Sequence, residues 1–186
     1  MPKKTKYIIG ILVVSIVLFS IFFIVKKKIP DSRMSSAFSL ALEKSSEKKE
    51  MPENSTVYTN TDYKFSLAYP KELEIQIFTE EDGDTILFQH PAEKRGFQLF
   101  ISSYPDKDFI TDSVLRQYLP GLILDAPQEI ILPGDKHALL FWSEAPEIGK
   151  TREVWFIHND YLFGITTYAQ LDEWLAYIIA TIHFIE

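Results

Sequence analysis

The hydropathy pattern divides the chain into three unequal parts. From Tyr7 to Val25 there is no charge and no proline, and the run is bracketed by Lys3, Lys4 and Lys6 before it and Lys26, Lys27 and Lys28 after it. At ~1.5 Å per residue a helix over residues 7–25 reaches roughly 28 Å, close to the ~30 Å hydrocarbon core of a bilayer. Ser15 and Ser20 can bond back to helical carbonyls, so the run predicts a single transmembrane helix. Residues 26–55 are polar, and from Glu43 to Glu50 no apolar residue occurs at all. Beyond residue 56 apolar positions return with the periods of strands and helices.

In this third part Tyr63 to Tyr69 alternates, which puts Tyr63, Phe65, Leu67 and Tyr69 on one face of a strand that Pro70 ends. Strands are predicted over 73–78 and 85–89 across Asp82-Gly83, and again over 97–103. Thr111 or Asp112 is placed to cap a short helix in which Val114, Leu115, Tyr118 and Leu119 share a face, stopped by Pro120-Gly121. Strands over 129–132 and 138–143 flank Pro133-Gly134. The strongest hairpin signal joins 152–158 to 161–167 across Asn159-Asp160, and its arms are apolar on both faces, which predicts a mid-sheet position with cover on each side. Thr167-Tyr168-Ala169-Gln170 fits a capping box, followed by Leu171, Trp174, Leu175, Ile178 and Ile182 at helical spacing. Trp174 and Ile178 are therefore expected to be buried on the sheet, with Gln170 and Asp172 tolerant of change. The expected fold class is α+β, with a largely antiparallel sheet.

The domain organisation follows: a basic tail over 1–6, a transmembrane anchor over 7–25, a polar charged linker over 26–55 and a folded domain over 56–186. A cleaved signal peptide is the competing description of the N-terminus. The apolar run exceeds the usual h-region, a triple-lysine block follows it, and the nearest small-x-small site, Ser35-Ser36-Ala37, lies well past it, so an uncleaved anchor is expected. With three lysines on each side, orientation rests on the short tail staying inside, which displays the domain outside the cytoplasmic membrane. A helical continuation is possible over 34–42, but the linker as a whole reads as a solvated spacer.

Charge sharpens this division. Residues 1–55 hold ten Lys and Arg against five Asp and Glu, a net +5, while residues 56–186 hold nine against twenty-one, a net −12. So acidic a domain lacks the clustered positive charge that phosphate contacts need, which excludes nucleic acid as a partner. The absence of cysteine excludes a lipid-modified N-terminal cysteine and leaves the compartment open.

The segment Tyr58-Thr59-Asn60-Thr61-Asp62-Tyr63-Lys64-Phe65-Ser66-Leu67-Ala68-Tyr69-Pro70-Lys71 resembles the N-x-x-x-G-F-S-x-x-Y-P opening of PsbP-like domains. The aromatic hairpin over 153–168 and the closing Thr181-Ile182-His183-Phe184 resemble the same family, which includes the extrinsic photosystem II subunit and many bacterial membrane-anchored or secreted proteins. The likeness covers nearly all of residues 56–186 and implies an α/β/α sandwich. It implies no single activity, since the members are mostly binding or assembly factors without catalytic residues. Two departures stand out. Lys64 occupies a position where the family pattern usually has Gly, and Leu73 lies near one where Trp is common, so the first hairpin is open to a different turn.

Candidate chemistry is sparse. His90, His137, His158 and His183 are scattered, with no spacing that would bring two ligands to one helical face. Nucleophile elbows and phosphate-cradling glycine loops are absent. The acidic run Glu80, Glu81, Asp82 and Asp84 around Gly83 is a weak candidate cation loop. It lacks the spacing of a calcium loop, and a hairpin turn already accounts for it. Trp142, Trp155 and Trp174 read as core residues rather than as a ligand platform. No catalytic residue, cofactor or firm metal site is therefore assigned. The expectation is a membrane-tethered, non-enzymatic binding or assembly module whose partners are the bilayer, through residues 7–25, and a protein. The alternative is an envelope hydrolase with a dispersed active site.

Overall fold

The computed structural model describes Phe38, Ala41 and Leu42 together with residues 54–105, 109–145 and 148–185. The expected span over 7–25 lies outside these residues, and among the described residues no helix is long and apolar enough to cross a membrane.

Among the described residues ten strands run in the order β1 (Ser55–Asn60), β2 (Phe65–Pro70), β3 (Glu74–Glu80), β4 (Gly83–Gln89), β5 (Gly96–Ser103), β6 (Asp125–Leu132), β7 (Lys136–Ala145), β8 (Gly149–His158), β9 (Tyr161–Tyr168) and β10 (His183–Phe184). Helix α1 (Asp112–Tyr118) follows β5, and α2 (Asp172–Ile179) follows β9. Seven strands make one sheet in the order β3-β4-β5-β9-β8-β7-β6, and β1-β2-β10 make a second. Every described strand pair is antiparallel.

The alternation read in the sequence explains which strands lie inside. β8 and β9, apolar on both faces, occupy the middle of the large sheet, and each face carries its own core. On one face Val154, Phe156, Phe163 and Ile165 pack with Phe65 and Leu67 of β2 and with Leu175, Ile178 and Ile179 of α2. On the other, Trp155, Ile157, Leu162 and Phe141 pack with Leu115 of α1 and with Ile110, Leu119 and Leu124. The large sheet is thus covered by helix on both sides, but the second sheet shares the first side, which a simple three-layer sandwich does not anticipate.

Local chemistry accounts for the joints. Val114 N donates to the Thr111 hydroxyl at 3.3 Å, so Thr111 caps α1. Asn159 and Asp160 both take left-handed backbone, with φ of 48° and 62°, as a two-residue hairpin turn requires. Strand β1 is absent from the sequence reading because Ser-Thr-Val-Tyr-Thr-Asn has little apolar alternation. Its turn into β2 gives meaning to the N-x-x-x-G spacing: the Asn60 side-chain oxygen accepts from the N–H groups of Asp62 and Tyr63, and Lys64 has φ of 55°. The turn is therefore kept, and Lys64 adopts the left-handed backbone that glycine favours. Leu73 is buried.

Three expectations are corrected. Thr167 does not cap a helix: it ends β9 with its hydroxyl donating to the Gly96 carbonyl at 2.6 Å, and a 3-10 turn over Ala169–Leu171 leads into α2 without a side-chain cap. Trp174 is only half-buried, at the rim of the core with its ring 6.0 Å from Phe97, whereas Ile178 is buried. Asp172 is buried, not a tolerant surface position. In addition, Phe38, Ala41 and Leu42, which the sequence assigns to the linker, are helical and belong to the first core, Phe38 being 0% exposed.

Candidate functional site

Successive residues of a strand point to opposite faces, so β8 delivers Arg152 to one core and Glu153 to the other. Both are buried, and each is handled by different chemistry.

Arg152 is 1% exposed and its Nε lies 2.7 Å from Asp172 Oδ1, at the start of α2. Its guanidinium carbon sits 4.1 Å from the centre of the Trp142 ring, its cross-strand neighbour on β7, and 5.4 Å from that of Phe38. Cationic and π faces attract, more strongly when desolvated. Arg152 Nη2 and Asp172 Oδ2 have no hydrogen-bond partner, so each charge depends on the other. Burial raises the Asp172 carboxyl to about 6 while the Arg152 charge pulls it back, and burial likewise lowers the guanidinium. The assembly ties together β7, β8, α2 and the helical turn at Phe38. It is a structural joint, closed to solvent.

Among the described residues no cation pairs with Glu153. Thr151 Oγ1 donates to Oε1 at 2.8 Å, and Thr166 Oγ1 and Trp155 Nε1 donate to Oε2 at 2.6 and 3.2 Å. Desolvation pushes its carboxyl up to about 7 against these three donors, which favour the charged form. Gly164, opposite Trp155, makes room for the indole: a Cβ there would lie 2.8 Å from the ring. A small cavity of about 20 Å3 opens beside the two threonines, lined also by Gln89, Gln98 and Tyr168. That is space for roughly one water. Glu153 can change charge near neutral pH, but three internal bonds engage its oxygens.

The acidic loop forms the turn from β3 to β4. Gly83 has φ of 148°, where a Cβ would collide with the Ile101 carbonyl. Asp84 accepts from the Tyr63 hydroxyl at 2.7 Å, which ties it to the β1–β2 connection. That hydrogen bond and burial raise the Tyr63 phenol, burial contributing most. Among the described residues no three His, Asp or Glu converge to hold a metal ion. Of the histidines, His158 is buried. Its Nε2 lies 3.2 Å from the Lys64 carbonyl and its ring packs 4.5 Å from that of Phe184, and burial lowers its pKa. It joins the two sheets. Trp142 and Trp155 are core residues, as expected.

Sequence reasoning passed over Arg152, Glu153 and Asp172. The signal was present: a strand apolar on both faces that also carries Thr-Arg-Glu must bury those charges, and buried charges need partners.

The sequence matches no protein-family profile and no curated protein. Among solved structures it is similar to the solution structure of cyanobacterial PsbP (CyanoP) from Synechocystis sp. PCC 6803, with a TM-score of 0.53 at 10% identity over 72% of this chain and 94% of that one. At such low identity the likeness concerns the fold alone, and the fold is PsbP-like.

Proposed function

We propose that this chain is a non-enzymatic binding or assembly module whose PsbP-like domain is tethered to the cytoplasmic membrane by residues 7–25 and displayed on its outer face. The observation that carries the reading is the burial of Phe38 in the domain core, which brings the chain soon after the uncharged, lysine-bracketed run into the folded unit. A binding role accords with the way the fold uses its carboxylates. Asp84, Glu153 and Asp172 are all held by internal partners. The resemblance to PsbP-like domains, mostly binding or assembly factors, points the same way. A hydrolase built on Glu153 would need that carboxyl within reach of substrate, and its oxygens already face Thr151, Thr166 and Trp155. The net charge of −12 over residues 56–186 keeps nucleic acid out of the list of partners.

The test has three arms. Protein from native membranes is expected to resist carbonate extraction and to keep Met1 or Pro2 as its N-terminus, and a mature N-terminus near Phe38 would remove the anchor. Protease added to intact spheroplasts is expected to attack the domain, and protection there would reverse the orientation. Photo-crosslinkers at exposed domain positions are expected to trap a protein in intact membranes. Hydrolysis of an envelope substrate by the purified chain, abolished in Glu153→Gln, would replace the binding reading.

A further inference from the structure

β3 and β6 are the two edges of the large sheet. In an antiparallel pair each strand turns only alternate residues' N–H and C=O groups toward its neighbour, so an edge strand presents the other set outward, ready to pair. The two edges differ in how they manage this. On β6 the pairing with β7 shifts register between Asp125 and Gln128, Ala126 has φ of 48°, and Pro127 has no N–H to offer. A bulge and a proline blunt an edge. β3 pairs with β4 without interruption from Glu74↔Gln89 to Glu80↔Gly83 and contains neither. It is an open edge.

The side chains of β3 say what would fit there. Ile75 and Ile77 stand opposite Phe88 and Ile86, which belong to the first core, so that core runs out to the edge and ends at Ile77, 56% exposed. Glu74, Gln76 and Glu80 project from the other face and are exposed, and no described cation pairs with either glutamate. A second copy paired antiparallel about Ile77 would set Glu74 against Glu80 twice, and like charges directly opposite destabilise a sheet. The edge β1 of the small sheet has no charged residue and so sets no charge for a partner.

We propose that β3 is a docking edge for an extended segment of another protein, added as an eighth strand, with apolar side chains on one face to continue the core past Ile77 and Lys or Arg on the other to meet Glu74 and Glu80. The backbone ladder supplies attachment, and alternate side chains supply selectivity. This rests on the reading of the domain as a binding module and names the surface and the chemistry of its partner.

The probe is a capped peptide, Thr-Lys-Ile-Thr-Val-Thr-Ile-Lys-Thr, whose lysines lie three positions either side of the central valine, matching the spacing of Glu74 and Glu80 about Ile77. The full chain in lipid nanodiscs is titrated with it and with a counterpart in which both lysines are glutamates. The lysine peptide is expected to slow amide exchange within residues 74–80 and to bind roughly five- to thirtyfold more tightly than its counterpart. That margin shrinks as salt is added. The double variant Glu74→Lys, Glu80→Lys, at exposed positions that leave the fold intact, is expected to invert the preference. Equal binding of both peptides, no binding, protection outside residues 74–80, or self-association of the chain through β3 would each overturn the proposal. A membrane crosslink partner retained by the double variant would likewise overturn the β3 assignment while leaving the binding-module reading in place. Loss of any crosslink in the wild-type chain would sink the module reading itself.

Discussion

Arg152 faces Asp172, Trp142 and Phe38 on one side of β8, whereas Glu153, the next residue, faces Thr151, Thr166 and Trp155 on the other. One buried charge is matched by an opposite charge. The other is matched by neutral donors alone. The first arrangement holds separate elements together, and breaking it strands a charge where water cannot follow. The second leaves the protein a choice of charge state near neutral pH, because protonation relieves the desolvation that raised the pKa. The same strand thus carries a joint whose carboxyl responds at about 6 and a centre whose carboxyl responds at about 7.

The largest effects are expected on the Arg152 side. Arg152→Ala leaves Asp172 buried and unpaired and should lose about 3–5 kcal/mol in chemical denaturation. The double replacement Arg152→Met, Asp172→Leu should lose less than the single one, since it removes both charges together. An additive double mutant would show that the pair is not coupled. Phe38→Ala, which empties a fully buried site and uncovers the guanidinium, should also cost about 3–5 kcal/mol. A melt unchanged by that substitution would detach the helical turn from the domain and restore the solvated-spacer view of residues 26–55.

The Glu153 side should show itself through pH. Its folded pKa, about 7, stands above the ordinary 4.5, so its contribution to stability is fully present below about 4.5 and is lost as pH rises through 7. The full span corresponds to about 3 kcal/mol. Asp172, raised to about 6, has the same sign over a lower window. His158 has the opposite sign: its lowered pKa favours the neutral ring, so its contribution is lost as pH falls below 6.5. Glu153→Gln isolates the first of these. Urea midpoints between pH 5 and 8 should fall with rising pH in the wild type by more than in the variant. Parallel profiles would mean that the carboxylate is already ionised throughout and that the three donors outweigh desolvation.

Packing on the same face gives a smaller effect. Gly164→Ala pushes a methyl into the Trp155 indole, which is also a Glu153 donor, and should cost about 1–3 kcal/mol and steepen the pH response, since a weakened donor raises the Glu153 carboxyl further. The smallest expected change has the opposite sign. Lys64→Gly, which relieves left-handed backbone at φ of 55°, should stabilise by about 1 kcal/mol without altering the pH profile. A loss instead would mean that the lysine side chain contributes contacts that outweigh the strain.

Much of the fold is legible in the order of residues because it depends on local period and turn chemistry. The two-sided apolar arms at 152–158 and 161–167 locate the centre of the sheet, Asn159-Asp160 makes its hairpin, and Thr111 caps α1. The N-x-x-x-G-like spacing from Asn60 foretells a turn that Lys64 completes without glycine. These features involve neighbours in the chain, so a one-dimensional reading suffices. The tertiary structure alone decided the rest. Thr167 bonds Gly96 rather than capping a helix, because β9 lies against β5. Trp174 falls at the rim because Asp172, not the tryptophan, turns inward at the start of α2 to meet Arg152. Phe38 enters the core from a segment whose composition reads as solvated, because the Arg152 guanidinium and the α2 side chains offer it a face. Period and composition report the average environment of a segment, whereas the partner of a buried charge is chosen by distances across the sheet that no spacing along the chain encodes.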